Sequence, residues 1–287
     1  MNITYETNLY CLIGNPIEKS LSPIIHNSIF EIFDRNCVYL SFNINGEDLE
    51  NTINAFRAMK VKGFNVTIPH KKNIIKYLDD ITTEAKIMGA VNTVKNENGK
   101  FVGYNTDGEG FIQTFSNNNI DLKDKNILLL GSGGAAFSIG VTLAMQDINS
   151  IYIGNRNIES CILLKEKINS INNKIITNVD NLQLENIDKK SIDIIINSTP
   201  IGMYPMEDMS PIELNGYSKE TIVYDIVYKP LETKLLYESK LKGFKVFSGI
   251  SMLLNQAILS QKIWFDLKEI NFKIIEKLAG NLSSYVE

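Results

Sequence analysis

Apolar positions along the chain fall into two rhythms. Compact runs at residues 10–13, 38–44, 64–68, 126–130, 151–155, 192–197 and 222–227 are too short for helices and predict strands. Between several of them, apolar residues recur three or four apart, as at Ile25, Ile29, Ile32 and Phe33, at residues 48–59, and from Phe137 to Gln146. That spacing puts one apolar stripe on a helix. Strands alternating with helices predict an α/β fold, and 287 residues are enough for two domains.

In the first third of the chain, Ser22-Pro23 reads as a helix start, with Ser22 as N-cap and Pro23 in the first turn. Ser20 and Ser22 then offer two hydroxyls at the positive end of that helix, where a small anion such as a carboxylate can sit. A plain helix cap with a solvated neighbour accounts for the same two residues. The run 64–68 alternates with period two and stops at Pro69, so that His70-Lys71-Lys72 opens a new helix with side chains exposed at the strand's C-terminal edge. Asn98-Gly99 between two apolar arms predicts a hairpin, whose second arm delivers Asn105-Thr106-Asp107-Gly108. Lys71, Asn92 and Asp107 thus end separate strands, although each taken singly also fits a surface position. His26 reads as packing or surface, not catalysis.

The middle of the chain carries Leu130-Gly131-Ser132-Gly133-Gly134-Ala135-Ala136. Gly131, Gly133 and Ala136 meet the spacing of a strand–turn–helix phosphate site, in which small residues let a pyrophosphate approach backbone N–H groups. The next strand ends in Asn155-Arg156-Asn157, where dinucleotide folds usually place an acid for a ribose. A carboxylate would repel a 2′-phosphate and an arginine pairs with it, so NADP is favoured over NAD. A solvated loop arginine is the alternative.

Charge narrows the function further. A net charge of −4 without any long basic run gives no footprint for nucleic acid or an anionic membrane. No apolar stretch has the length of a membrane span, and residues 1–14 lack the features of a signal peptide, so a cytoplasmic protein is expected. Cys11, Cys37 and Cys161 are odd in number and far apart, which predicts reduced, buried thiols and no metal site.

Taken together, the motifs resemble the shikimate dehydrogenase family over nearly the whole chain. They run from Gly14-Asn15-Pro16 with Ser20-Leu21-Ser22-Pro23, through Asn65-Val66-Thr67-Ile68-Pro69-His70-Lys71 and Gly89-Ala90-Val91-Asn92-Thr93, to Asn105-Thr106-Asp107-Gly108. The glycine turn, Asn155-Arg156, Asn197-Ser198-Thr199-Pro200-Ile201-Gly202-Met203, Tyr224 to Tyr228, and Gly249 through Met252 to Gln256 complete the order. The resemblance implies a Rossmann-type NADP domain at residues 107–246 and a discontinuous α/β substrate domain at 1–106 and 247–287, finished by helices at 250–262 and 263–278. It implies reversible NADPH-dependent reduction of 3-dehydroshikimate to shikimate, with Lys71 and Asp107 catalytic. Ser20, Ser22, Asn65, Thr67, Asn92, Tyr228 and Gln256 would bind the substrate. Gly131, Ser132, Gly133, Gly134, Ala135, Asn155, Arg156, Asn157, Thr199, Ile226, Gly249 and Met252 would bind NADP. The chain departs from the family in its NADP loop, where Ser160 stands in place of a second arginine. The rival readings are a quinate/shikimate dehydrogenase using NAD or both cofactors, and a sensor of the dinucleotide or of a shikimate-like ligand; either a monomer or a homodimer is compatible.

Overall fold

The computed structural model describes residues 3–18, 20–182, 184 and 187–268. The chain forms two compact units, one running up to Thr106 and resuming at Gln256, the other comprising Asp107–Asn255. In the first, strands β1 (Asn8–Gly14), β2 (Cys37–Asn43), β3 (Gly63–Val66), β4 (Asp80–Ile81), β5 (Thr93–Glu97) and β6 (Lys100–Tyr104) pair in the order β2-β1-β3-β5-β6-β4. The sheet is mixed: β1 is parallel to β2 and β3, whereas β5 runs antiparallel to β3 and β6.

Strand β1 shows why this sheet is covered on both faces. Tyr10 and Leu12 pack to one side with Phe30, Tyr39 and Trp264, and Cys11 and Ile13 pack to the other with Leu49, Ile53, Phe56 and Phe64. Phe30 comes from helix α1 (Ser22–Ile32), and Leu49, Ile53 and Phe56 from helix α2 (Leu49–Ala58). A third helix, α3 (Thr83–Met88), is capped by Thr82, whose side chain accepts the Ala85 N–H. Strand β3 lies inside this sandwich, so all four of its residues are buried. The period-two alternation expected of it fails because neither face meets solvent. The β5–β6 hairpin turns through Asn98 and Gly99, with φ of 54° and 92°, the pair of positive angles that the tight hairpin requires.

In the second unit, helix α4 (Asp107–Asn117) leads into β7 (Asn126–Leu130), α5 (Gly134–Ala144), β8 (Ser150–Gly154), α6 (Ile158–Ile171), β9 (Ile176–Asp180), β10 (Ile194–Asn197), β11 (Ile222–Asp225), α7 (Lys234–Leu241) and β12 (Lys245–Ser248). The strand order is β12-β11-β10-β7-β8-β9 and every pair is parallel. The chain starts at a middle strand, winds outward through β8 and β9, then returns to wind the other way. This is the doubly wound Rossmann pattern, with its switch point between β7 and β10. Ile127 and Leu129 feed one apolar cluster and Leu128 and Leu130 another, as expected of parallel strands buried on both faces.

Helix α8 (Gly249–Phe265) begins in the second unit and passes into the first between Asn255 and Gln256. Phe247, where the return to the first domain was expected, lies instead in β12 and pairs with Tyr224. The second expected C-terminal helix, at 263–278, lies outside the described residues from 269 onward; its first three residues finish α8. No helix among the described residues is long and apolar enough to cross a membrane. Cys11, Cys37 and Cys161 are buried and unpaired, and no metal-binding cluster of His, Cys, Asp or Glu occurs among the described residues.

Candidate active site

Lys71 lies in a run of turns after β3, followed by a short 3-10 helix at Asn73–Tyr77, and not in the helix expected to open at His70. Backbone bonds fasten this run at both ends: Thr67 N–H donates to Ile13 O (2.9 Å) and Val91 N–H to Lys71 O (2.8 Å). His70, expected to be exposed, is fully buried, and its Nε2 contacts Ile44 O at 2.7 Å. A carbonyl only accepts, so Nε2 carries the proton and His70 is an anchor for the turn. Lys71 itself is half-buried beside the start of the Val91-Asn92 segment.

Ser22 also departs from its expected role. The cap position of α1 belongs to Leu21, without a side-chain capping bond, while Ser20 Oγ accepts the Ser22 N–H at 3.3 Å. The Ser22 side chain hydrogen-bonds to Tyr39, whose phenol burial pushes well above its ordinary pKa. Tyr39 in turn donates to Asn65 Oδ1 at 2.8 Å. Asn65 Nδ2 is within reach of Asn92 O (3.1 Å), Thr93 Oγ1 (3.0 Å) and Ser260 Oγ (3.1 Å). Two amide hydrogens facing three acceptors are fully committed inside the unit. Asn65, expected to hold substrate, is therefore a buried junction in this structure.

Asn92 is 3% exposed and belongs to the same network. Its Nδ2 donates to Thr106 Oγ1 (2.9 Å), and its Oδ1 accepts the Thr106 N–H (2.8 Å). Thr106 directly precedes Asp107, the first residue of α4. Ser260 Oγ donates to Gln256 O at 3.0 Å, bringing the half-buried Gln256 turn of α8 into contact with the network. Ser22, Asn65, Asn92 and Gln256 are thus joined within one unit, with Thr67 fastened to β1 and Lys71 to the Val91-Asn92 segment. Sequence reasoning gave no role to Tyr39, Thr93, Thr106 and Ser260, although Thr93 and Thr106 stand inside motifs quoted for the resemblance and Ser260 lies one helical turn after Gln256. His26, as expected, is a packing residue: it stacks on Tyr39 at 4.3 Å, accepts from Gln261 Nε2 at 2.9 Å, and burial pushes its pKa down to about 3.

In the second unit, the predicted cofactor residues gather at the C-terminal ends of the strands. Gly131 has φ +108°, and a Cβ there would lie 2.7 Å from Ser198 Oγ, so glycine is required twice over. Gly133 and Gly134 are exposed and a Cβ on either would meet nothing within 4 Å, while α5 begins without a side-chain cap. Uncapped N–H groups therefore face open space at the positive end of a helix. Asn155 Nδ2 donates to Ser132 Oγ (2.5 Å), Ser132 also bonds Ser160 Oγ, and Asn157 Oδ1 caps α6 by accepting the Ser160 N–H (3.1 Å). This clasp joins the glycine turn to the loop bearing Arg156, which is exposed. Thr199 is held by Asn197, to whose Oδ1 both its N–H and its hydroxyl donate. Gly249 approaches β11 so closely that a Cβ would lie 2.0 Å from Ile226 O, and the Met252 N–H reaches the Tyr224 hydroxyl. Tyr228 is half-buried just beyond β11, with its pKa raised by burial.

These features suit a dinucleotide. The uncapped turn offers the donors a pyrophosphate needs, and β8 is followed by Asn155-Arg156, without a carboxylate to repel a 2′-phosphate.

Comparison with known proteins agrees. The family described as "Shikimate dehydrogenase substrate binding domain" matches residues 12–94. The shikimate dehydrogenase (NADP(+)) of Methanococcus maripaludis strain C6 is 44% identical over 263 residues, covering 91% of this chain and 93% of that protein. A crystal structure of a shikimate dehydrogenase in complex with NADP+ superposes with a TM-score of 0.89 at 39% identity, covering 98% of this chain and 97% of the other. The shikimate 5-dehydrogenase of Listeria monocytogenes, in complex with shikimate and NAD, gives a TM-score of 0.88 at 35% identity, covering 97% and 98%.

Proposed function

The chain belongs to the shikimate dehydrogenase family, and from that premise we propose roles for its residues in the NADP-dependent interconversion of 3-dehydroshikimate and shikimate, a step toward chorismate and the aromatic amino acids. The glycine turn would hold NADPH, and the chemistry the cofactor would supply there is a hydride for the 3-keto carbon. The carbonyl oxygen then becomes an alkoxide, which needs a positive neighbour and a proton. The Lys71 ammonium supplies both. Asp107 orients that ammonium and accepts a substrate hydroxyl. Ser20 and Ser22 take the ring carboxylate, with Tyr228 at the same end, and Thr67, Asn92 and Gln256 hold ring hydroxyls. Asn65 acts from inside the fold, since its amide hydrogens are already committed.

On the cofactor side, the N–H groups of Gly131, Ser132, Gly133, Gly134 and Ala135 meet the pyrophosphate. Arg156 meets the 2′-phosphate between Asn155 and Asn157, and Thr199, Ile226, Gly249 and Met252 line the nicotinamide end. We place the reaction in the cytoplasm, carried out by a monomer or a homodimer.

The observation that carries the assignment is the way the fold ties its acid–base residues together along the chain. Lys71 is fastened to the segment of Asn92, Asn92 fixes Thr106 through two hydrogen bonds, and Asp107 is one peptide bond further on. The test is cofactor reduction by the purified protein with shikimate, comparing NADP with NAD and shikimate with quinate. Strong turnover with NADP and shikimate is expected. Turnover with NAD alone would move the chain to the quinate/shikimate reading, and silence with both cofactors would favour a sensor.

A further inference from the structure

We propose that the hydroxyl pair of Thr93 and Ser260 is the positioning device of the substrate site, holding Asn92 and, through Thr106, the start of the Asp107 helix. The proposal rests on the functional reading above and extends it to two residues that would touch neither substrate nor cofactor. Thr93 Oγ1 stands within hydrogen-bond distance of four polar groups: Asn65 Nδ2 (3.0 Å), Asn92 Oδ1 (3.1 Å), Thr106 Oγ1 (3.3 Å) and Ser260 Oγ (2.9 Å). Thr93 and Ser260 are both fully buried, so water does not substitute for either.

The geometry makes the pair a junction between three parts of the chain. Asn65 comes from β3, Asn92 and Thr93 from the edge of β5, and Ser260 from α8, 195 residues from Asn65 in sequence. Ser260 places its single hydrogen on Gln256 O, so Thr93 has one hydrogen to share between Ser260 Oγ and Asn92 Oδ1, while both hydroxyls accept from Asn65. Remove the Thr93 hydroxyl and Asn65 loses an acceptor while Asn92 Oδ1 loses a donor. Each keeps its remaining partners but has one bond fewer to fix its orientation, and Asn92 is the side chain that holds both the N–H and the hydroxyl of Thr106. Loss of alignment in a buried polar network carries over to every member, because each bond orients the next. A small displacement at Thr106 passes through one peptide bond to Asp107, and a small misplacement of a reacting group costs rate steeply.

The test uses the full chain with Thr93→Val, which preserves the branched shape and removes the hydroxyl, Thr93→Ser, which restores it, and Ser260→Ala. Thr93→Val is expected to lower kcat/KM for shikimate about tenfold while KM for NADP stays within about twofold, and Thr93→Ser to recover most of the loss. Ser260→Ala gives the same split at a smaller size and reads the proposal should Thr93→Val fail to fold. Hydrogen exchange supplies a readout that needs no turnover: the Thr106 amide exchanges about tenfold faster in Thr93→Val, with the β1 amides unchanged. Unchanged shikimate kinetics, an equal rise in both KM values, or wild-type protection at Thr106 would overturn the proposal. Absence of turnover by the parent protein sinks the functional reading alone, because Thr106 exchange still decides on the hydroxyl pair.

Discussion

The first unit's sheet mixes parallel and antiparallel pairs and buries a row of amides and hydroxyls from Tyr39 to Thr106, whereas the second unit's sheet is parallel throughout and keeps polar side chains such as Asn197 and Asp225 to its strand ends. In the first, side chains are fixed by one another through bonds that each contribute roughly 1 kcal/mol net but cost about 1–3 kcal/mol when left half-made. In the second, strand ends present backbone N–H groups whose placement depends on glycine and on the sheet's register. The first arrangement is suited to recognising a small ring bearing several hydroxyls. The second is suited to a large anionic ligand that can be read mainly by main chain. Breaking each unit separately should therefore give separable effects.

The largest expected effect comes from Lys71→Ala. Loss of a positioned acid typically costs on the order of 10²–10⁴ in rate. We expect that fall in kcat with KM for NADP little changed, because the residues proposed for NADP lie on strand ends of the other sheet. Steady-state kinetics on the purified variant checks this; near-parental kcat would remove Lys71 from the acid–base role.

Next in size is an opposition between the units in their response to pH. Burial lowers the His26 pKa from 6.5 to about 3 in the first unit and raises that of Asp225 from 3.8 to about 6 in the second. His26 is neutral in the folded state, so its contribution is complete above pH 6.5 and lost as pH falls toward 3. Asp225 has the opposite sign: its contribution is complete below 3.8 and lost as pH rises through 6. The sequence contains one tryptophan, Trp264, whose ring lies 5.1 Å from His26 and makes its fluorescence a probe of the first unit. Urea unfolding followed by that fluorescence should lose about 2 kcal/mol between pH 6.5 and about pH 4.5, and His26→Gln should flatten the loss. A transition of constant stability over that range would contradict a buried neutral imidazole. Asp225→Asn should be relatively more favourable at pH 7 than at pH 4.5, because Asn197, Thr233 and the Val227 N–H all face that side chain and the charge is what burial penalises.

The two units also differed in how far they could be read from sequence. Most parallel strands of the second unit stood out as continuous apolar runs, and the glycine turn was recognisable because its spacing is local. The edge strand β9 was not, since Thr177 and Asn178 interrupt any apolar run. In the first unit the hairpin at Asn98-Gly99 was legible for the same local reason. Ser22 and His70 were misplaced because their partners, Tyr39 and Ile44, come from other elements. Asn65 was expected to bind substrate only through the family resemblance, which carries a motif position but not the hydrogen bonds that surround it. Its acceptors arrive from β5 and α8, and no periodicity reveals a bond across 195 residues.

The smallest effect tests the second unit alone. Ser160 ties the α6 start to Ser132 and Asn157, so the loop is held in place by side chains other than Arg156. Arg156→Ala should therefore leave the fold of the loop intact and remove one charge from the 2′-phosphate. A charge-assisted pair contributes about 1.5–3 kcal/mol, so KM for NADP should rise roughly tenfold to a hundredfold while KM for shikimate stays near its parental value. NAD lacks the 2′-phosphate, and its kinetics should not change. An equal loss with NAD and NADP would mean that Arg156 supports the loop itself, and the contrast between side-chain recognition in one unit and main-chain recognition in the other would then need an exception at that position.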